Sequence, residues 1–178
     1  RLAVAHLRGL GHCDPVYLGP GRGTHASIAE RQAGFAAVAG PGARCVRTDG
    51  SDGDADGEAV RRAFAAGWPQ AVVAYNHHVA RAVIHACAAD GRRIPQQLSL
   101  VSCDDVRALA YPVPPVTAVR VPVRGMAERA ARLLVDCIEG RERPSGQRIV
   151  VDGELQVRGS TAPPATSSSA PVRRPRRA

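Results

Sequence analysis

The chain has 178 residues, 44% hydrophobic but only 3% aromatic, enough for one buried core built mainly from Ala, Val and Leu. Its net charge is +8, yet four arginines (Arg173, Arg174, Arg176, Arg177) crowd the last six residues, and the remaining excess is too dilute to mark a nucleic-acid surface. Five scattered cysteines (Cys13, Cys45, Cys87, Cys103, Cys137) with no C-x-x-C pair fit free thiols in a reducing cytosol, and zinc spacing, a membrane-length apolar run and a signal peptide are all missing.

Residues 1–11 pattern as an amphipathic helix, with Leu2, Ala5, His6 and Gly9 or Leu10 expected inward and Gly11 as the stop. His12 to Pro15 form a turn, and Val16 to Leu18 a buried strand. His6 and His12 are expected to be structural. Gly19-Pro20-Gly21-Arg22-Gly23 invites a phosphate-loop reading, but no Gly-Lys-Ser/Thr follows and the spacing is not G-x-G-x-x-G. A loop over a crevice suits it better. A helix then runs from Ser27 to about Val38, placing Ser27 and Arg31 on one face, one turn apart. On the residues alone, Arg31 is an ordinary solvated helix arginine.

A strand is expected around Cys45 to Thr48. The Asp/Gly run at 52–57 looks like part of a calcium loop but has no Glu at the twelfth position. A helix from Glu58 to Ala66 turns Val60, Ala63 and Phe64 inward, and Trp68 is expected to pack at the following turn.

The stretch from Ala71 to Arg120 is the most informative. Ala71 to Tyr75 is a short apolar run suited to a strand buried on both faces. Asn76 can cap the next helix, in which Val79, Ala82, Val83, Ala86 and Cys87 make one apolar face ending at Gly91. Leu98 to Ser102 is the next strand, parallel to the first through a right-handed crossover. Asn76 and Asp104 then stand just beyond the carboxyl ends of adjacent strands, where open parallel sheets bind ligands. An amide and a carboxylate there suit a polyhydroxylated ligand. As an isolated pair they also read as a helix cap and a turn former.

Beyond Arg120, Val123 to Glu139 forms a helix striped with Met126, Ala130, Leu133, Leu134, Cys137 and Ile138. Ile149 to Val151 and Leu155 to Val157 pattern as a hairpin through Asp152-Gly153. From Pro163 onward the chain is rich in Pro, Ser and Arg, and residues 165–178 are expected to be a disordered tail.

Several of these segments together resemble the effector-binding core of the LacI/GalR family of bacterial transcription regulators. The matches are His6 to Gly19 (HLRGLGHCDPVYLG), Arg31 three residues before Gly34-Phe35, Asn76, Gly91-Arg92-Arg93-Ile94-Pro95, Leu98 to Val101, Asp104-Asp105, Pro114-Pro115-Val116-Thr117-Ala118-Val119 and Glu154 to Thr161. His77 stands where the family has an acidic residue, and Ser102-Cys103 where it has Gly-Phe. The resemblance implies a periplasmic-binding-protein-like, three-layer α/β sandwich on a parallel sheet, mainly the C-terminal subdomain. It implies a sensor portion over residues 1–164, with about 123–139 belonging to the N-terminal subdomain side. Arg31, Asn76 and Asp104 are the ligand-binding residues it carries over, with Ser27 and His77 as weaker candidates.

The function implied is that of a cytoplasmic sensor which binds a small effector such as a sugar and controls DNA binding by allostery, without a cofactor or metal. DNA contact is expected only through a helix-turn-helix domain that has no counterpart in this chain, and the intact protein is expected to be a homodimer. A periplasmic sugar-binding protein of a transporter shares the implied fold, but the free cysteines and the Pro-Pro-Val-Thr segment lean against it. An enzyme fits less well, because Cys103 with Asp104, or His77-His78, lacks a third orienting group.

Overall fold

The computed structural model describes residues 1–20, 25–48, 56–141, 146 and 148–165. Most of the 19–23 loop, the acidic run before Asp56 and the Arg-rich tail beyond residue 165 therefore lie outside the described residues.

In chain order the elements are α1 (Leu2–Gly9), β1 (Val16–Gly19), α2 (Ala26–Ala39), β2 (Arg44–Arg47), α3 (Gly57–Ala63), β3 (Ala71–Ala74), α4 (His77–Ala89), β4 (Ser99–Ser102), β5 (Thr117–Arg120), α5 (Val123–Ile138) and β6 (Glu154–Gln156). The sheet order is β2-β1-β3-β4-β5-β6, parallel throughout except for the antiparallel edge strand β6. Helices α1 and α2 pack together in one layer, and α3 and α4 in the other. This is the expected three-layer sandwich.

The centre of the sheet forms because its strands are short apolar runs that can be buried on both faces. Every residue of β1, β3 and β4 is buried. Tyr17, Leu7, Leu18, Leu98 and Leu100 are among the largest side chains wholly removed from water, each contributing roughly 1.5–3 kcal/mol of transfer free energy. Helix α4 buries Val79, Ala82, Val83, Ala86 and Cys87, the face read from the sequence. Asn76 caps it by accepting from the Val79 amide at 3.0 Å, and Asp56 caps α3 by accepting from Ala59 at 2.6 Å.

Two expectations need correction. Helix α1 turns Ala3, Val4 and Leu7 inward, and leaves Leu2 44% exposed. Helical spacing permits either stripe; the one carrying Val4 and Leu7 buries more aliphatic surface. The expected hairpin does not form. Residues 149–151 are not a strand and Val150 is 73% exposed, whereas β6 pairs directly with β5, Val119 against Leu155. Gly153 is required for another reason: a Cβ there would lie 2.9 Å from the Arg120 carbonyl oxygen. None of the residues of α5 is fully buried.

One connection substitutes for a strand. β4 and β5 pair over only two positions, Val101 with Thr117 and Ser102 with Ala118. Below them Ser160 fills the gap. Its carbonyl accepts from Leu100 N at 2.8 Å, its hydroxyl donates to Leu100 O at 2.6 Å, and the same hydroxyl accepts from Thr117 N at 2.8 Å. The buried His12 bonds Ser99 Oγ at 3.1 Å and Ala162 O at 2.9 Å, and His6 meets Thr161 Oγ1 at 2.9 Å. Both histidines thus tie residues 161–162 to the first turn of the fold, as structural residues should. Trp68 packs at its turn, 5.2 Å from Phe64 between ring centroids, with the Arg92 guanidinium 5.0 Å from its own ring.

Candidate functional site

The sheet order defines where a ligand can enter. From β1 the chain crosses to β2 on one side, and then returns to β3 on the other. Connections leaving the carboxyl ends of β1 and β3 therefore diverge, and a crevice opens between them. Pairing continues just past the strands, with Tyr75 N donating to Leu18 O and Cys103 N to Ala74 O, each at 2.9 Å. This fixes Tyr75, Asn76, Cys103 and Asp104 along one edge.

Helix α2, which follows β1, supplies Ser27 and Arg31. Arg31 Nη1 donates to the Tyr75 carbonyl at 2.6 Å, and its guanidinium lies 4.7 Å from the Tyr75 ring centroid. Ser27 Oγ is 3.0 Å from the Tyr75 hydroxyl. Tyr75, overlooked in the sequence, therefore joins both α2 candidates to β3. The signal was available: it is an aromatic residue at the last position before the edge.

The other candidates form a second group. Asp104 Oδ2 accepts from His77 Nδ1 at 3.0 Å, and Oδ1 accepts from Ser102 Oγ at 3.1 Å. The His77 ring stacks on His78 with centroids 4.0 Å apart. Asn76 sits between the groups, adjoining Tyr75 and His77, with its carbonyl oxygen committed to the α4 cap. Its amide nitrogen has no hydrogen bond among the described residues. Asp105 has a different task. It is only 5% exposed in its side chain, pairs with Arg158 at 2.8 Å and with Arg120 at 3.2 Å, and holds the β5 connection.

A cavity of about 300 Å³ adjoins the edge on the α1/α2 side, walled by Arg31, Phe35, Val73 and Cys103 with the first turn of α1. Arg31 is the member of the candidate set that lines it; Asn76, His77 and Asp104 do not. Burial raises the Cys103 thiol to about 11, with Arg31 opposing the shift. It also raises the Tyr17 phenol, whose buried hydroxyl has no hydrogen-bond partner among the described residues. Both groups are protonated at neutral pH, so neither is an activated nucleophile. No group of three or more His, Cys, Asp or Glu suited to a metal occurs among the described residues.

A model of the periplasmic binding protein-like domain matches residues 4–161. The chain belongs to that family. Within the periplasmic binding protein-like family its relatives are LacI-type transcription regulators, not enzymes. The HTH-type transcriptional regulator MalR of Streptomyces coelicolor is 38% identical over 92 residues, covering 52% of this chain and 26% of MalR. The HTH-type transcriptional repressor CytR of Escherichia coli is 30% identical over 93 residues, 52% of this chain and 27% of CytR. A solved LacI family transcriptional regulator from Bifidobacterium animalis subsp. lactis superposes with a TM-score of 0.77 at 26% identity, over 91% of this chain and 60% of that one. The matched segments thus span about a quarter of the curated relatives and three fifths of the solved structure. No helix among the described residues is long and apolar enough to cross a membrane.

Proposed function

We propose that this chain is the ligand-sensing portion of a LacI-type transcription regulator. A small polar effector, such as a sugar, binds at the β1/β3 edge through Arg31, Asn76 and Asp104, with Ser27 and His77 at the margin. One observation carries the reading. Arg31 of α2 bonds the Tyr75 carbonyl just past β3, and Asn76 and Asp104 follow the carboxyl ends of β3 and β4, the edge at which this architecture binds ligands. MalR, CytR and the solved neighbour are transcription regulators, which favours a regulatory outcome over transport.

On this reading residues 1–164 form the sensor portion, and α5 belongs with the N-terminal subdomain of the intact protein. The intact protein is a cytoplasmic homodimer that contacts DNA through a separate helix-turn-helix domain. The effector binds two arrangements of the subdomains with different affinity, and only that difference can move the DNA-binding equilibrium. The test is operator binding by the intact regulator, measured with and without sugars in the assay. A sugar that changes operator affinity in the wild type and not in Arg31→Ala or Asp104→Ala supports the proposal. Equal responses in wild type and variants refute the site.

A further inference from the structure

The amino edge of the sheet, opposite the proposed effector site, carries charge that effector binding does not use. Contacts across the strand starts bring its parts to one edge. Ser99 Oγ donates to Ala162 O at 3.0 Å, and Ser99 N donates to Gln70 O at 2.8 Å. Gln70 ends the turn that carries Trp68. The segment leading to the C-terminal tail therefore leaves the fold at the same edge as a groove of about 490 Å³ between the ends of α3 and α4, lined by Arg61, Arg62, Trp68, Asp90 and Arg92.

The groove's carboxylates are already matched. Arg61 bonds Glu58 at 2.9 Å and Asp90 at 2.8 Å. Arg92 differs: its guanidinium lies 5.0 Å from the Trp68 ring centroid and has no ion pair among the described residues. Stacking occupies the face of a guanidinium and leaves free the N–H fork that fits a phosphate. Arg93 beside it is exposed and likewise has no ion pair among the described residues. Arg8, at the same edge, donates to the carbonyls of Val38 and Ala39 and so keeps its full charge. Asp14, exposed in the turn before β1, opposes them.

The sequence adds to this edge. No acidic residue follows Glu154, and Arg173, Arg174, Arg176 and Arg177 lie in the last six positions. Covalent geometry lets Arg173 lie up to about 28 Å from residue 165, roughly the width of a six-stranded sheet. Arginine blocks of this kind bind phosphate backbones without reading sequence.

We propose that the amino edge, with the tail that leaves it, is a sequence-independent surface for duplex DNA. Arg92 and Arg93 supply fixed phosphate contacts, and the tail supplies the rest. This contact is additional to that of the helix-turn-helix domain. The choice of duplex DNA among polyanions rests on the regulatory reading above, which keeps the protein among duplex phosphates.

The 178-residue chain is titrated by fluorescence anisotropy against two 30-bp duplexes of unrelated sequence, from about 50 to 200 mM salt. Both are expected to bind within about twofold of each other, with log K falling against log salt at a slope of about −4 or steeper. Deleting residues 171–178 is expected to weaken binding at least about tenfold at the lowest salt and to flatten the slope by about 3. Arg92→Gln with Arg93→Gln, tail intact, is expected to flatten it by about 1–2. Arg93→Gln alone, at an exposed position, keeps the Trp68 stack and is expected to flatten it by about 1. An unchanged slope on deletion overturns the role of the tail, and an unchanged slope in both arginine variants overturns that of the folded edge. A strong preference for one duplex overturns sequence independence. Tighter binding to phosphatidylserine vesicles or to RNA, at equal phosphate concentration, overturns the choice of DNA. None of these outcomes touches the effector reading, whose test uses Arg31 and Asp104 at the other edge.

Discussion

Arg31 is held to Tyr75 twice, by a 2.6 Å hydrogen bond to its carbonyl and by stacking of the guanidinium 4.7 Å from its ring centroid. One contact fixes a backbone position at the end of β3, and the other orients the side chain over the crevice. Arg31→Lys keeps the charge but loses the planar fork, whereas Arg31→Ala loses both contacts. Arg31→Ala is expected to cost about 1–2 kcal/mol in urea unfolding, with Arg31→Lys in between. A shift in Arg31→Ala below about 0.3 kcal/mol would mean that Tyr75 is positioned without it.

Asn76 has two roles that substitution can separate. Its oxygen caps α4, and its amide nitrogen is the part proposed to meet ligand. Asn76→Ala should lose about 1 kcal/mol of stability with the cap. Asn76→Ser retains a capping oxygen and should be nearly as stable as wild type, yet bind ligand more weakly because the amide donors are gone. Ligand affinity in Asn76→Ser equal to wild type would reduce Asn76 to a cap.

The pH dependence of stability has two limbs. Burial, reinforced by His12, lowers the His6 pKa from 6.5, so the folded state binds fewer protons than the unfolded one below that pH. This contribution is present above pH 6.5 and is lost as pH falls through the folded value. Burial also raises Cys87 and Cys103 from 9.0 to about 11. The folded state then keeps protons that the unfolded state releases. That stabilisation is full below pH 9 and disappears as pH rises toward about 11. The chain contains no lysine, so the alkaline limb is carried by thiols and phenols. Urea midpoints at about pH 5.5, 7.5 and 10 should peak at the middle value; equal midpoints at the two higher pH values would contradict burial of the thiols.

Helix α5 leaves Leu134 62% exposed and Ile138 75% exposed. Leu134→Glu should therefore change the unfolding free energy by less than about 0.5 kcal/mol, while reducing self-association in light scattering. A loss of several kcal/mol on this substitution would mean that the stripe is buried within the chain in solution.

The central unit was legible because two periodicities met there: short apolar runs at 71–75 and 98–102, and the helical spacing of Val79, Ala82, Val83, Ala86 and Cys87. Asn76 could be read as a cap from its position alone. Helix α1 was misread because its eight residues, five of them Ala, Val or Leu, permit two stripes by helical spacing, and only contact with the sheet chooses between them. The hairpin failed for a related reason. A turn dipeptide between apolar runs reads the same whether both runs pair with each other or one pairs with a distant edge, here β5. At the candidate site, the sequence named Arg31, Ser27, His77 and Asp104 but not their partition between Tyr75 and the His77–Asp104 pair. Those contacts join residues 27 to 48 positions apart and have no local signature.

Ser160 completes the hydrogen bonding between β4 and β5 from a point 60 residues beyond Leu100. As the chain emerges from a ribosome, β1, β3 and β4 can assemble early, but Leu100 and Thr117 keep unpaired backbone groups until Ser160 arrives. Closing so long a loop is slow compared with forming local helices. Until then the nascent sheet has an open seam between its fourth and fifth strands, and that seam is the place where a chaperone or a stray strand could pair with it.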